Sequence, residues 1–251
     1  MLSDALIATV AEVVPVLLVG LVIVVVVVAA IIHARRKARE RTEALAAMAA
    51  SSGLAFDAEH RSISDTALAE IFATFRQGDT RRVYNTMRGH MTVGDATRGV
   101  QMGDYRYTVT QGSGKNRRRV TYRFSYLLVH MDVTAPELII RAETFLDKIG
   151  AFFGFDDIDF ESVEFSKRFS VKGTNKRFAW DLIDPRVMEW LLTHDDPPLI
   201  ELDGEWMLIA RKSTWSPAEF MSHVDFAGTF MAHWPDHTVS TLRDGGYSRE
   251  D

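Results

Sequence analysis

The chain contains no cysteine. That excludes disulfides, thiolate metal ligands, cysteine nucleophiles and cysteine-linked lipid anchors. Proline is sparse, and no internal repeat or low-complexity tract is present. Positive charge is not in excess: 29 Lys and Arg stand against 34 Asp and Glu, a net charge of -5, which argues against a general nucleic-acid binder. Catalytic fingerprints are missing as well. The sequence has no Gly-x-Ser-x-Gly, no His-Glu-x-x-His and no dinucleotide-binding glycine pattern. The length of 251 residues allows one or two domains.

What is present first is a long apolar run. Residues 13–32 read VVPVLLVGLVIVVVVVAAII, without a charge or a strong hydrogen-bonding side chain. Twenty helical residues span roughly 30 Å, the thickness of a hydrocarbon core. The β-branched Val24–Val28 favours a strand in water. In lipid a lone strand leaves its backbone unpaired, so a transmembrane helix is expected over 13–33. Pro15 falls in its first turn and Gly20 is ordinary in such helices. With no polar group inside it, the helix can anchor but cannot conduct or transport.

The flanks set the orientation. His33 is followed by Arg35, Arg36, Lys37, Arg39 and Arg41, whereas only Asp4 and Glu12 precede the run. The positive-inside rule places the amino terminus outside and the rest in the cytoplasm, an uncleaved signal anchor in an inner membrane. His33 and the five basic residues are the candidate membrane-interface residues. Residues 1–12 are a short outer segment. Residues 34–53 are rich in helix formers and read as a basic stalk ending at Ser51-Ser52-Gly53.

Residues 54–234 read as one cytoplasmic α+β domain, an antiparallel sheet with packed helices, and 235–251 as a polar tail or extended arm. A helix is expected from Ser64-Asp65 to about Phe75. Strands are expected over 82–93, 100–110, 120–133 and 137–141. In the third, Tyr122, Phe124, Tyr126, Leu128 and His130 share one face and Leu127 and Val129 the other. Helices are expected over 144–153, 175–183, 185–193 and 218–233, the third capped by Asp184 and the last opened by Ser216-Pro217. A strand is expected over 164–173. Asp203-Gly204 signals a hairpin between 199–202 and 206–210.

Three stretches carry candidate chemistry. Gln111–Asn116 (QGSGKN) superficially resembles a phosphate loop, but Val109 holds the first glycine position, Asn116 replaces the metal-ligating hydroxyl, and strands flank it. It reads as a hairpin tip made strongly positive by Lys115, Arg117, Arg118 and Arg119, which suits anionic headgroups or an acidic partner. Residues 156–161 (DDIDFE) hold four carboxylates but lack the turn glycine and ligand count of a calcium loop. His233 and His237 are separated by Pro235, which removes their helical spacing. No cofactor and no metal is implied. Five tryptophans lie between 180 and 234. Trp180 and Trp190 are expected in the core, and Trp215 and Trp234, beside turns, as partner contacts.

The order of features resembles an uncharacterised family of bacterial single-pass membrane-anchored proteins with a cytoplasmic α+β domain. The carrying stretches are Asp104–Thr108, Gly112–Asn116, and Ile158–Glu161 followed by Phe165–Phe169. The resemblance implies the architecture and no activity. Together these features point to a non-enzymatic accessory subunit of a larger inner-membrane complex whose partners are other membrane-protein subunits, not nucleic acid. Respiratory and photosynthetic complexes are hosts of this kind. The alternative is a membrane-tethered module binding a small ligand or an anionic lipid headgroup through residues 115–119. An enzyme would need a polar pocket gathering His130, His223 or the acids of 156–161.

Overall fold

A computed structural model describes residues 2–63, 68–142 and 156–247. The chain divides into two units, Met1–Ala44 and Leu45–Asp251. The first unit is most of one helix, α1 (Leu2–Ser51). From Leu18 to Ile32 its large apolar side chains are about half exposed, with no protein packed on them. An apolar surface of that size is untenable in water and suits lipid.

The second unit is α+β. After the last turns of α1 come β1 (Ala55–Asp57), β2 (Arg61–Ser62) and a short α2 (Leu68–Ile71), then a single 3-10 turn, Ala73–Arg76. Three long strands follow: β3 (Asp79–Val93), β4 (Ala96–Gln111) and β5 (Arg118–Ala142). Beyond them lie β6 (Asp156–Asp157), α3 (Val163–Arg168), β7 (Phe169–Gly173), α4 (Lys176–Leu182) and α5 (Pro185–Leu192). The chain closes with β8 (Leu199–Ala210), α6 (Pro217–Ala232) and α7 (Asp236–Arg243). The described sheet is antiparallel, in the order β1-β3-β4-β5-β7-β6, with β2 also on β3 and β8 on the other edge of β5.

Each face of the sheet carries its own core, because successive strand residues point to opposite sides. On one face Phe124, Tyr126 and Leu128 of β5 join Val83, Tyr105 and Tyr107, covered by Phe72 and Phe75. The Tyr105 hydroxyl donates to the Phe75 carbonyl at 3.0 Å. On the other face Leu127, Val129 and Met131 meet Phe178, Val187, Phe220 and Phe230 of the helices, and Leu45 and Ala49. The alternation expected along β5 is thus observed. Its continuation over 137–141 is part of the same strand, interrupted by Pro136, which cannot donate to the ladder. There the register slips between His130 and Leu138 on β5, with Ala135 set opposite Gly204 of β8.

That slip overturns the hairpin expectation. Asp203-Gly204 does not reverse the chain. Gly204, at φ 59°, forms the irregularity in one continuous β8 that follows β5 past its proline. Inward positions change parity across it, from Ile200 and Leu202 to Met207 and Ile209. The expected strand over 164–173 is half helix: the Ser162 side chain accepts from the Phe165 N–H at 3.2 Å and opens α3, and only Phe169–Gly173 is extended.

The helices at 175–183, 185–193 and 218–233 appear where expected, capped by Asn175, Asp184 and Ser216. The helix read from Ser64 to Phe75 is described from residue 68, as α2 and the 3-10 turn. The helix expected over 144–153 lies outside the described residues. The carboxyl-terminal stretch is not a free tail through residue 247. Leu242 and Thr238 of α7 are buried, the Thr238 hydroxyl donates to the Asp181 carbonyl at 2.8 Å, and Tyr247 packs on Phe178. Nor does the domain begin at 54, since Leu45 and Ala49 belong to its core.

Candidate interaction surfaces

The basic collar lies on α1. His33, Arg35, Arg36, Lys37 and Arg39 are exposed and Arg41 is half-buried. Arg36 pairs with Glu40 and Arg39 with Glu43, each at 2.8 Å and one helical turn apart. Such solvent-screened pairs bias the helix slightly and do not hide its charge.

The residues 112–117 connect two antiparallel strands, β4 and β5, as a hairpin with a short 3-10 turn at Gly114–Asn116 that includes Lys115. Gly112 and Gly114 both have positive φ, which the turn requires. Arg117, Arg118 and Arg119 are exposed. Arg118 donates to the Gln111 side chain at 3.3 Å, and none of the three ion-pairs with a described carboxylate.

The tryptophans are distributed otherwise than expected. Trp215 is fully buried and Trp234 is 6% exposed, so neither can contact a partner. Trp215 stacks on His223 with centroids 3.8 Å apart and on Phe220 edge-on, while Trp234 packs against Phe230. Their position beside turns misled because α6 folds back over them. Trp180, expected in the core, is 53% exposed. On the short α4 the inward residues are Phe178, Ala179 and Leu182. Trp180 follows Phe178 by two positions, roughly 200° around the helix, so helical spacing alone could have put it outside.

Trp180 stands in a groove of about 1090 Å³ formed between the 159–162 loop and the start of α3 on one side and α4 and α5 on the other. Phe160, Trp180, Ile183, Met188 and Leu192 supply the apolar surface. Asp159, Glu161, Glu164, Asp184 and Glu189 supply the acidic part of the lining. The Trp180 indole N–H donates to the Asp159 carbonyl at 3.2 Å, which fixes the ring across the opening. Arg168 ties α3 to the end of α5 by donating to the carbonyls of Leu192, at 2.6 Å, and His194. Of the five acids, Asp184 is offset by Arg186 at 3.1 Å; the other four have no cationic partner among the described residues. Outside α1, Trp180 and Val163, which opens α3, are the large hydrophobic side chains left exposed among the described residues.

The titratable groups that an enzyme would gather are apart. His130 faces Asp132 at 3.0 Å and Glu205 at 3.6 Å. His223 is buried against Trp215, and burial lowers its pKa. Asp157 pairs with Lys172 at 3.2 Å, and neither histidine lines the acidic groove. His233 and His237 fall on different helices, α6's cap and α7. Among the described residues no group of three or more His, Asp or Glu side chains is placed to hold a metal.

No protein-family model and no curated protein matches this chain. A similar solved structure is the crystal structure of the mycobacterial trehalose monomycolate transport factor A, TtfA. It superposes with a TM-score of 0.54 at 13% sequence identity, covering 78% of this chain and 97% of that one. At that identity the likeness is one of fold.

Proposed function

We propose that this protein is a non-enzymatic accessory subunit of a membrane-protein complex. The helix α1 anchors it by a single pass, and the α+β unit lies in the cytoplasm and braces a partner subunit. The groove beside Trp180 carries this reading. An apolar floor beside uncompensated carboxylates fits an amphipathic, basic segment of a partner, which would cover the exposed indole and pair with the acids. Aromatic side chains in such a position are frequent interface anchors. The absence of polar groups in residues 13–32 supports an anchoring role for the helix over a transporting one. The shared fold with TtfA, by name a transport factor of a mycobacterial system, is compatible with an accessory role.

The test is purification of the full chain in mild detergent, with a photo-crosslinking residue at position 180 and mass spectrometry of native complexes. The expected product joins position 180 to a Lys- or Arg-bearing segment of another membrane subunit. Charge reversal at Glu161 and Glu164 abolishes it. Recovery of a free monomer without a cross-link overturns the reading.

A further inference from the structure

Three arginines stand side by side across the sheet. The register sets Arg82 of β3 opposite Arg106 of β4, and Arg106 opposite Arg123 of β5. Residues directly opposite on adjacent strands point to one face, with Cβ atoms roughly 5 Å apart. Which face is fixed by their neighbours. Val83, Tyr105 and Phe124, one residue along each strand, belong to the aromatic core, so the arginines project from the other side. There Arg82 and Arg106 are half-buried and Arg123 is exposed. Arg119, four residues before Arg123 on β5 and exposed, extends the same positive surface.

Like charges directly opposite destabilise a sheet, and such a row is ordinarily offset by carboxylates. Here the offset is thin. Asp104, in the adjacent row, is buried and accepts from the Asn85 amide at 2.8 Å and the Ser125 hydroxyl at 2.6 Å. Asp79, opposite Thr108 in the row beyond, forms no ion pair with the arginines. Among the described residues Arg106 and Arg123 make no hydrogen bond or ion pair, and Arg82 donates to the His60 carbonyl at 3.4 Å. His60 stacks on Tyr84 at 4.4 Å beside the row. Its pKa is lowered by burial and by the charges of Arg106, Arg82 and Arg123, and Asp104 opposes them.

We infer that Arg82, Arg106 and Arg123 form a binding site for a phosphoryl group. The planar guanidinium fork matches two phosphate oxygens at once, and a row of three brings together enough positive charge for a dianion or the diester of a lipid headgroup. An anion bound across the row offsets the repulsion between like charges set opposite one another. The strand register carries this site independently of the groove beside Trp180.

The test uses the full chain in a neutral detergent, with thermal unfolding as the readout. Inorganic phosphate is compared with chloride and with glutamate at matched ionic strength, and micelles containing phosphatidylglycerol with micelles containing phosphatidylcholine. Phosphate, phosphatidylglycerol or both should raise Tm. Arg106→Gln and Arg123→Gln should keep or raise the Tm of the anion-free protein while raising the anion concentration needed for a given shift about tenfold, as loss of a charge-assisted bidentate pair implies. A response to phosphatidylglycerol alone assigns the site to a lipid headgroup, and a response to free phosphate assigns it to a soluble phosphate ester. Equal stabilisation by glutamate and phosphate points to an acidic protein segment and overturns the inference. So does a response that both variants retain in full, since the basic collar on α1 would then explain it. Either failure leaves the cross-link at position 180 untouched.

Discussion

Glu201 shows how one side chain can tie stability to pH. It is fully buried on β8, where its carboxylate accepts from the Ala73 N–H at 2.5 Å, the Thr74 N–H at 3.2 Å and the Thr74 hydroxyl at 2.6 Å. It thereby holds the 3-10 turn Ala73–Arg76, which carries Phe75 into the aromatic core. Burial pushes its pKa up to about 7 from an ordinary 4.5; the three hydrogen bonds pull the other way, and neighbouring Glu137 adds to the rise. Between those values the folded chain binds the proton more tightly than the unfolded one. Stability is therefore highest at the acid end of this window and falls as pH rises towards 7, with a limiting size on the order of 3 kcal/mol. Glu201→Gln, neutral throughout and still able to accept from Ala73, should flatten the fall in Tm between pH 5 and 7. Identical pH slopes for both proteins would show that Glu201 does not set it.

At the scale of elements, close approaches and caps decide more than propensity does. The helix α6 crosses the β3–β4 turn where Gly228 meets Gly94; a Cβ on Gly228 would lie 2.7 Å from the Gly94 Cα, backbone against backbone. Gly→Ala in an open helix stabilises by about 0.5–1 kcal/mol, but Gly228→Ala should destabilise by about 1–3 kcal/mol because nothing flexible can yield. A denaturation midpoint that rises instead would mean the helix lifts freely off the turn. At the other end of α6 the Ser216 hydroxyl and the Glu219 carboxylate satisfy each other's backbone N–H groups. Ser216→Ala should cost about 1 kcal/mol by the same measurement.

These elements also show what was legible in the sequence. Ser216-Pro217 and Asp184-Pro185 declared their helices, because a cap acts within four residues. The faces of β5 were legible, because alternation is local. The continuity of β8 was not: Asp203-Gly204 makes a hairpin unless a long partner such as β5 is present to hold the chain straight. The arginine row was equally hidden, since Arg82, Arg106 and Arg123 become neighbours only through register. The groove was not legible because Asp159 and Glu161 meet Trp180 and Met188 only through the packing of the 159–162 loop and α3 against α4 and α5.

Over the whole molecule, charge is sorted along β5. Its first residues bear Arg119 and Arg123, whereas β7, paired with its last residues Leu138–Ala142, is flanked by the helices of the acidic groove. The two surfaces thus belong to different stretches of β5, and among the described residues no ion pair joins an arginine of the row to an acid of the groove. Each can bind its own kind of charge without cancelling the other. Their use depends on which side of the membrane the domain occupies, and the missing cysteines make that directly measurable. Any cysteine introduced is the sole thiol in the chain. Arg35, Arg36, Lys37, Arg39 and Arg41 follow the apolar run and no basic residue precedes it, so the potential and the anionic leaflet both favour residues after 35 inside. In bacterial spheroplasts a membrane-impermeant maleimide should label Ser3→Cys directly. Ser51→Cys, exposed at the end of α1, should react only after permeabilisation. The reverse pattern would place the arginine row and the groove outside the cell, and a partner for either would then have to be sought there.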